Sequence, residues 1–150
     1  IDIEIPEKSD LSIIKDLIRD LNLDVEKYSD LISVIRESDQ FMDKLQDKLE
    51  KRFSEEPNAL YYDIEYLLRC RDYLATQSSK AIAMYRACKR RFKPSSGTIV
   101  DKEIEIDHAA SPYKFYENTL IERIKTLDNR CTAAKQQQKI IEEQLNKLKD

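Results

Sequence analysis

An unbroken three-four repeat constrains this chain more than anything else in it. Leu11, Ile14, Ile18, Leu21, Val25, Tyr28, Ile32 and Ile35 follow one another at spacings that alternate between three and four. Apolar residues at that period make one stripe along an α-helix. The seven-residue register is that of a coiled coil, with Leu11, Ile18, Val25 and Ile32 at a and the others at d. Ser9 or Asp10 caps the start, following Pro6. Beyond Ile35 the stripe loosens, because Asp39 and Gln46 stand among Met42, Leu49 and Phe53.

A single helix over 10–53 is about 66 Å long at 1.5 Å per residue. A compact ball of 150 residues has a radius of gyration of only about 15 Å. The expectation is therefore an elongated molecule whose stripe is covered by neighbouring helices, since each Leu or Ile kept from water contributes about 1.5–3 kcal/mol. Ile14 and Ile35 at d disfavour a simple parallel pair. Leu17 and Leu31 widen the stripe at g, which calls for more than one neighbour.

Composition agrees with helices. Charged residues make up 37% of the chain, with one glycine, four prolines and no tryptophan, which leaves few sites for the tight turns of a β-protein. The 26 basic and 29 acidic residues leave a formal charge of −3, so bulk electrostatics makes no case for nucleic acid or a membrane surface. Cys70, Cys88 and Cys131 are odd in number and lack C-x-x-C spacing. That pattern suits free thiols in a reducing intracellular compartment. No apolar run approaches the roughly 18 residues of a membrane span. The chain opens on Ile1, as a fragment or processed product would.

Two places interrupt the helices. At FSEEPNAL, Pro57 either kinks the path or opens a new helix at its first turn, with Ser54 as its cap. A second seam follows: Ile64, Leu67, Arg71, Leu74, Ser78, Ala81, Tyr85, Cys88 and Phe92. KPSSGTIV then holds Pro94, two serines and Gly97, which marks a linker. Alternation in TIVDKEIEID suits an extended segment, as it does in IDIEIP at the N-terminus, and the two have the makings of a small ribbon. Ser111-Pro112 reads as a helix start. A third seam follows: Ile124, Leu127, Cys131, Ala134, Gln138, Ile141, Leu145 and Leu148. The segments are then an extended 1–9, coiled-coil helices over 10–92 with a break near Pro57, a linker over 93–111, and a C-terminal helix over 112–150. The fold class is all-α: about three long helices in a multi-chain helical bundle.

The three seams are the candidate binding surface for partner helices. In the third, Cys131 and Ala134 are small enough for a neighbouring backbone to come close. Gln138 at an a position either fixes register against a polar partner or tolerates water at a loose seam. No catalytic, cofactor-binding or metal-ligating set is expected. His108 is the only histidine and is read as a solvated linker residue beside Asp107. There is no G-x-S-x-G, glycine-rich phosphate loop or H-E-x-x-H. RACKRRFK, residues 86–93, is dense enough in cations to touch phosphates, but it stands at a predicted helix C-terminus, where cations suit the macrodipole. Tyr61, Tyr62, Tyr66 and Tyr73 suit the borders of helix interfaces.

The long N-terminal seam, YDIEYLLRCRDYL, and the closing SPYKFYENTLIERI with KQQQKIIEEQL together resemble the coiled-coil region of the central-channel nucleoporins, the nucleoporin fifty-eight family with its fungal counterpart forty-nine. The resemblance rests on Ser111-Pro112, then Tyr113, Phe115 and Tyr116, then a Gln- and Glu-rich heptad helix. It implies a non-enzymatic structural subunit that anchors a channel subcomplex of the nuclear pore at the nuclear envelope and supports nucleocytoplasmic transport. It also implies partners: two other coiled-coil channel nucleoporins and a scaffold nucleoporin. Family members carry Phe-Gly repeats; this chain has no Phe-Gly pair, so the expectation is for the anchor alone. Other readings of the same residues are a coiled-coil subunit of a kinetochore or tethering complex, a helical nucleic-acid-binding module using 86–93, or a self-contained three-helix bundle serving as a monomeric spacer.

Overall fold

The structure is a computed structural model that describes residues 9–95 and 97–149, and among these no strand occurs. Four α-helices follow in order: α1 (Asp10–Asp20), α2 (Ser29–Glu50), α3 (Pro57–Arg91) and α4 (Ile99–Lys149), with a 3-10 turn at Val25–Tyr28 between the first two. The fold is all-helical, as the periodicity requires. The extended N-terminal segment and its pairing in a ribbon fall largely outside the described residues.

The first repeat does not form one helix. It breaks after Asp20, although its apolar spacing continues without a slip. Asn22 adopts a left-handed backbone, φ 58°. The Leu23 amide donates to the Ile18 carbonyl at 3.0 Å and the Asn22 amide to the Arg19 carbonyl at 2.9 Å. These two bonds are a Schellman stop, and asparagine is one of the few residues that accepts the required conformation cheaply. The Asp24 carboxylate then accepts from the Glu26 amide at 3.1 Å and starts the 3-10 turn. At the other end, Ser9 is the cap of α1: its hydroxyl accepts from the Ser12 amide at 3.2 Å.

Pro57 opens a helix instead of kinking one. Glu56 caps it, with its carboxylate accepting from the Asn58 and Ala59 amides at 3.0 and 2.7 Å. Ser54, expected as the cap, accepts instead from the Glu56 amide, ahead of the helix.

The linker expected over 93–111 is shorter than its composition suggests. From Ile99 onward the chain is helical, so TIVDKEIEID is the first part of α4 and not an extended segment. Pro112 consequently lies inside α4. It has no N–H to give the His108 carbonyl, one turn back. The Ser111 hydroxyl donates to that carbonyl at 2.7 Å and replaces the lost bond. Thr98 starts the helix, its hydroxyl accepting from the Asp101 amide.

The chain packs as two compact units, residues up to Lys44 with Lys80–Glu117, and Leu45–Ser79 with Asn118 onward. In the first, α2 and α4 run parallel and α3 runs against them, as Asp30 meeting Arg91, Lys89 meeting Asp107 and Ser38 meeting Tyr116 require. Ile14, Ile18, Leu31 and Ile35 are fully enclosed there, with Tyr113 and Tyr116. In the second unit α3 again opposes α4, with Arg71 on Asp128. Leu60, Ile64, Ala134 and Ile141 form one cluster, and Phe53 packs against it. The buried edge of α2 is Leu31, Ile35, Ser38 and Leu45. Beyond Ile35 burial in α2 thins as the sequence suggests: Ser38 and Leu45, both on the g line, are buried, Asp39, Met42 and Leu49 are half-buried, and Gln46 is exposed.

Candidate interaction surfaces

Most of the residues read as a seam for partner helices are covered by this chain's own side chains. Ile14, Ile18, Tyr28, Ile32, Ile35, Ile64, Leu67, Leu74, Leu127, Cys131, Ala134 and Ile141 are buried. Leu11, Leu21, Val25, Ile124 and Gln138 are half-buried. The third seam also extends upstream in the same phase, through Leu120, Glu117 and Tyr113 to Ala110, all buried, with Tyr116 and Ala109 buried one residue to the side. It ends abruptly in the other direction. Leu145 is 45% exposed and Leu148 83% exposed, in register with Ile141 but with nothing over them among the described residues. From Glu142 to Lys149 every residue is exposed. The polar position expected to govern register is Gln138, yet the buried amide is Gln77, whose Oε1 has no hydrogen-bond partner.

A polar hub sits in the first unit. The Tyr28 hydroxyl donates to the Ala109 carbonyl at 2.5 Å. Tyr113 donates to the Asp30 carboxylate at 2.7 Å and accepts from the Arg91 guanidinium at 2.9 Å. The Tyr28 and Tyr113 rings lie 5.5 Å apart, tilted by 44°. Burial pushes the Tyr28 phenol up to about 12. Burial, then the bond to Asp30, drives the Tyr113 phenol up as well. The hub therefore locks helix ends together through neutral phenols. Tyr28, read as a d position of the first seam, is buried in this hub, and Tyr113 joins it.

The basic run at 86–93 is partly consumed. Lys89 pairs with Asp107 at 3.2 Å and lies over the Tyr85 ring. Arg91 pairs with Asp30 at 3.5 Å. Arg90 turns back to the Arg86 carbonyl at 3.4 Å. His108 is on α4, with its Nε2 at 2.9 Å from the Leu21 carbonyl at the end of α1, so it ties two elements and is not a linker residue. The three thiols are free and buried, and burial raises each above its ordinary value, as expected of packing cysteines. Among the described residues no group of three or more His, Cys, Asp or Glu is placed to hold a metal ion. No described helix is long and apolar enough to cross a membrane.

Sequence reasoning missed a basic cavity in the second unit. It has a volume of about 170 Å³ and is walled by the end of α2, the following loop, the first turns of α3 and Arg130 of α4. Lys48, Lys51, Arg52 and Arg130 line it against a single acid, Asp63. The Arg130 guanidinium stacks 3.8 Å above the Phe53 ring and donates to the Lys51 carbonyl, but its Nε is buried without an acceptor. Lys48 lies over the Tyr66 ring at 5.5 Å. The one sequence signal was KLEKRF, three cations ending a helix; Arg130 lies 78 residues after Arg52, so no local pattern joins them.

The chain matches no protein-family model, and no curated protein or solved structure matches it significantly.

Proposed function

We propose that this chain is a structural assembly module that joins other protein chains through helical surfaces its own bundles leave uncovered, without catalysing a reaction. One observation carries the proposal. The third seam is filled from within through Ile141 and then continues in phase, bare, at Leu145 and Leu148. Covering Leu148 contributes about 1.5–3 kcal/mol and the remaining exposed part of Leu145 less, and a partner helix laid along the last turns of α4 does so at the register the seam already sets.

The finer form of the proposal rests on the residues that resemble the central-channel nucleoporins: an anchor of a channel subcomplex in the nuclear pore, at the nuclear envelope. Its partners are then the two other channel nucleoporins and a scaffold nucleoporin. Because the chain covers most of its own stripe, those partners meet the C-terminal end of α4 and not the seam of α1 and α2.

Leu145→Asp with Leu148→Asp tests the general proposal. The double variant is expected to release partner chains in a pulldown while its thermal unfolding stays that of the wild type. Unchanged partner binding overturns it. A fluorescent fusion tests the finer form, with a punctate nuclear rim expected and diffuse signal against it.

A further inference from the structure

The basic cavity of the second unit has a use that the seams do not explain. We propose that it binds a phosphate monoester, presented as a phosphorylated side chain of a partner protein. The proposal takes from the preceding one only that partners are proteins, and no residue of the bare seam lines the cavity.

Charge is the first ground. Four cations face one carboxylate in a chain whose overall charge is −3, so the local excess runs against the global balance. Cations at the end of α2 favour its macrodipole. That interaction accounts for Lys48, Lys51 and Arg52. It does not account for Arg130, which comes from a different helix. Arg130 is the second ground. The guanidinium lines the cavity and adds a fourth cation there, contributed by a helix other than α2. Stacking on Phe53 and the bond to the Lys51 carbonyl hold the guanidinium plane in place beforehand.

Size then selects the ligand. Sites for drug-sized molecules span roughly 300–1,000 Å³. A cavity of about 170 Å³ is too small for a nucleotide and suits one anionic group. A net excess of three cations is better met by a phosphate monoester, with a charge of about −1.5 to −2 at neutral pH, than by a carboxylate. A peptide source fits better than a lipid surface because the site is concave and Tyr61 and Tyr62, 51% and 68% exposed, stand in the second turn of α3, just before the lining residues Asp63 and Tyr66. Tyr62 precedes Tyr66 by one helical turn, so it continues the aromatic wall for residues that flank the phosphate.

The test uses the whole 150-residue chain. Phenyl phosphate and phenylacetate are titrated by NMR, and phenyl phosphate is expected to bind saturably and at least tenfold tighter, with shifts centred on residues 48–53, 63–67 and 130. A library of nonapeptides centred on phosphoserine, phosphothreonine or phosphotyrosine is expected to yield binders whose unphosphorylated forms fail. Lys48→Gln with Arg52→Gln, both exposed, should weaken that binding at least tenfold with an unchanged circular dichroism melt; Arg130→Gln should do the same, and the exposed pair decides the matter if Arg130→Gln unfolds. Equal binding of the two small anions, shifts elsewhere, or unaltered binding by the exposed double variant overturns the site. Retention on phosphatidylcholine vesicles holding phosphatidylinositol bisphosphate, with no phosphopeptide bound, overturns the protein source.

Discussion

The Tyr28 hydroxyl donates to the Ala109 carbonyl at 2.5 Å, across 81 residues of chain. Ala109 lies three residues before Pro112, where a proline inside a helix disturbs the backbone ladder. The two carbonyls of that turn are both met by side chains, His108 by Ser111 and Ala109 by Tyr28, with the Cys88 thiol also 3.8 Å from Ala109. The carbonyl that the proline deprives of its helical donor is thus met locally by Ser111, and the next one takes a distant partner from α2's lead-in, Tyr28.

Tyr28→Phe keeps the packed ring and removes only the donor. Stability is expected to fall by about 1 kcal/mol, the usual net worth of such a bond. Urea unfolding followed by circular dichroism measures it. A change below about 0.3 kcal/mol would mean that the Ala109 carbonyl does not depend on Tyr28.

The same phenol predicts a pH dependence. Its folded-state value, raised to about 12, exceeds the ordinary value of 10.0, so folding favours the neutral form. The associated stability is fully present below about pH 10 and is lost as pH rises through about 12. Tyr113 shifts the same way, for the same leading reason. Unfolding midpoints of the wild type should fall between pH 10 and 12 more steeply than those of Tyr28→Phe. Parallel curves would contradict the burial of this phenol.

Much of the helical content was legible because periodicity survives wherever a face is buried. Ile14, Ile18, Ile35, Leu74, Leu127 and Ala134 were placed on buried faces and are enclosed. What periodicity cannot show is whose side chains do the enclosing. It also runs smoothly across Asn22, because Leu21, Val25 and Tyr28 are apolar for the connector as well as for a helix. The linker was drawn too long because Ile104 and Ile106 alternate, while Ile104 is in fact 62% exposed on a helix surface. Glu56 was missed as a cap because Ser54 is the better capping residue type. The basic cavity unites three sequence neighbours with one distant arginine, a juxtaposition only the fold produces.

Asn22 tests the break between α1 and the 3-10 turn. At φ 58° a residue with an ordinary Cβ costs roughly 1–2 kcal/mol, which asparagine partly avoids. Asn22→Ala is expected to destabilise by about 1 kcal/mol and Asn22→Gly to be neutral or stabilising. Thermal melts of both variants measure the difference. If alanine equals glycine, the left-handed stop is absent and the first repeat is one continuous helix.

Gln77 is 3% exposed, and its Oε1 is buried with no partner. An unsatisfied buried acceptor costs about 1–3 kcal/mol, whereas an apolar side chain of similar volume in the same place has nothing to satisfy. Gln77→Leu is therefore expected to stabilise the chain by about 1 kcal/mol. Gln77→Ala, which also removes the acceptor but leaves a cavity, should destabilise it relative to Gln77→Leu. Urea midpoints at matched m-values distinguish the two. A loss of stability in Gln77→Leu would mean that the amide is satisfied after all, and that the second unit relies on it for register in the way the sequence suggested for Gln138.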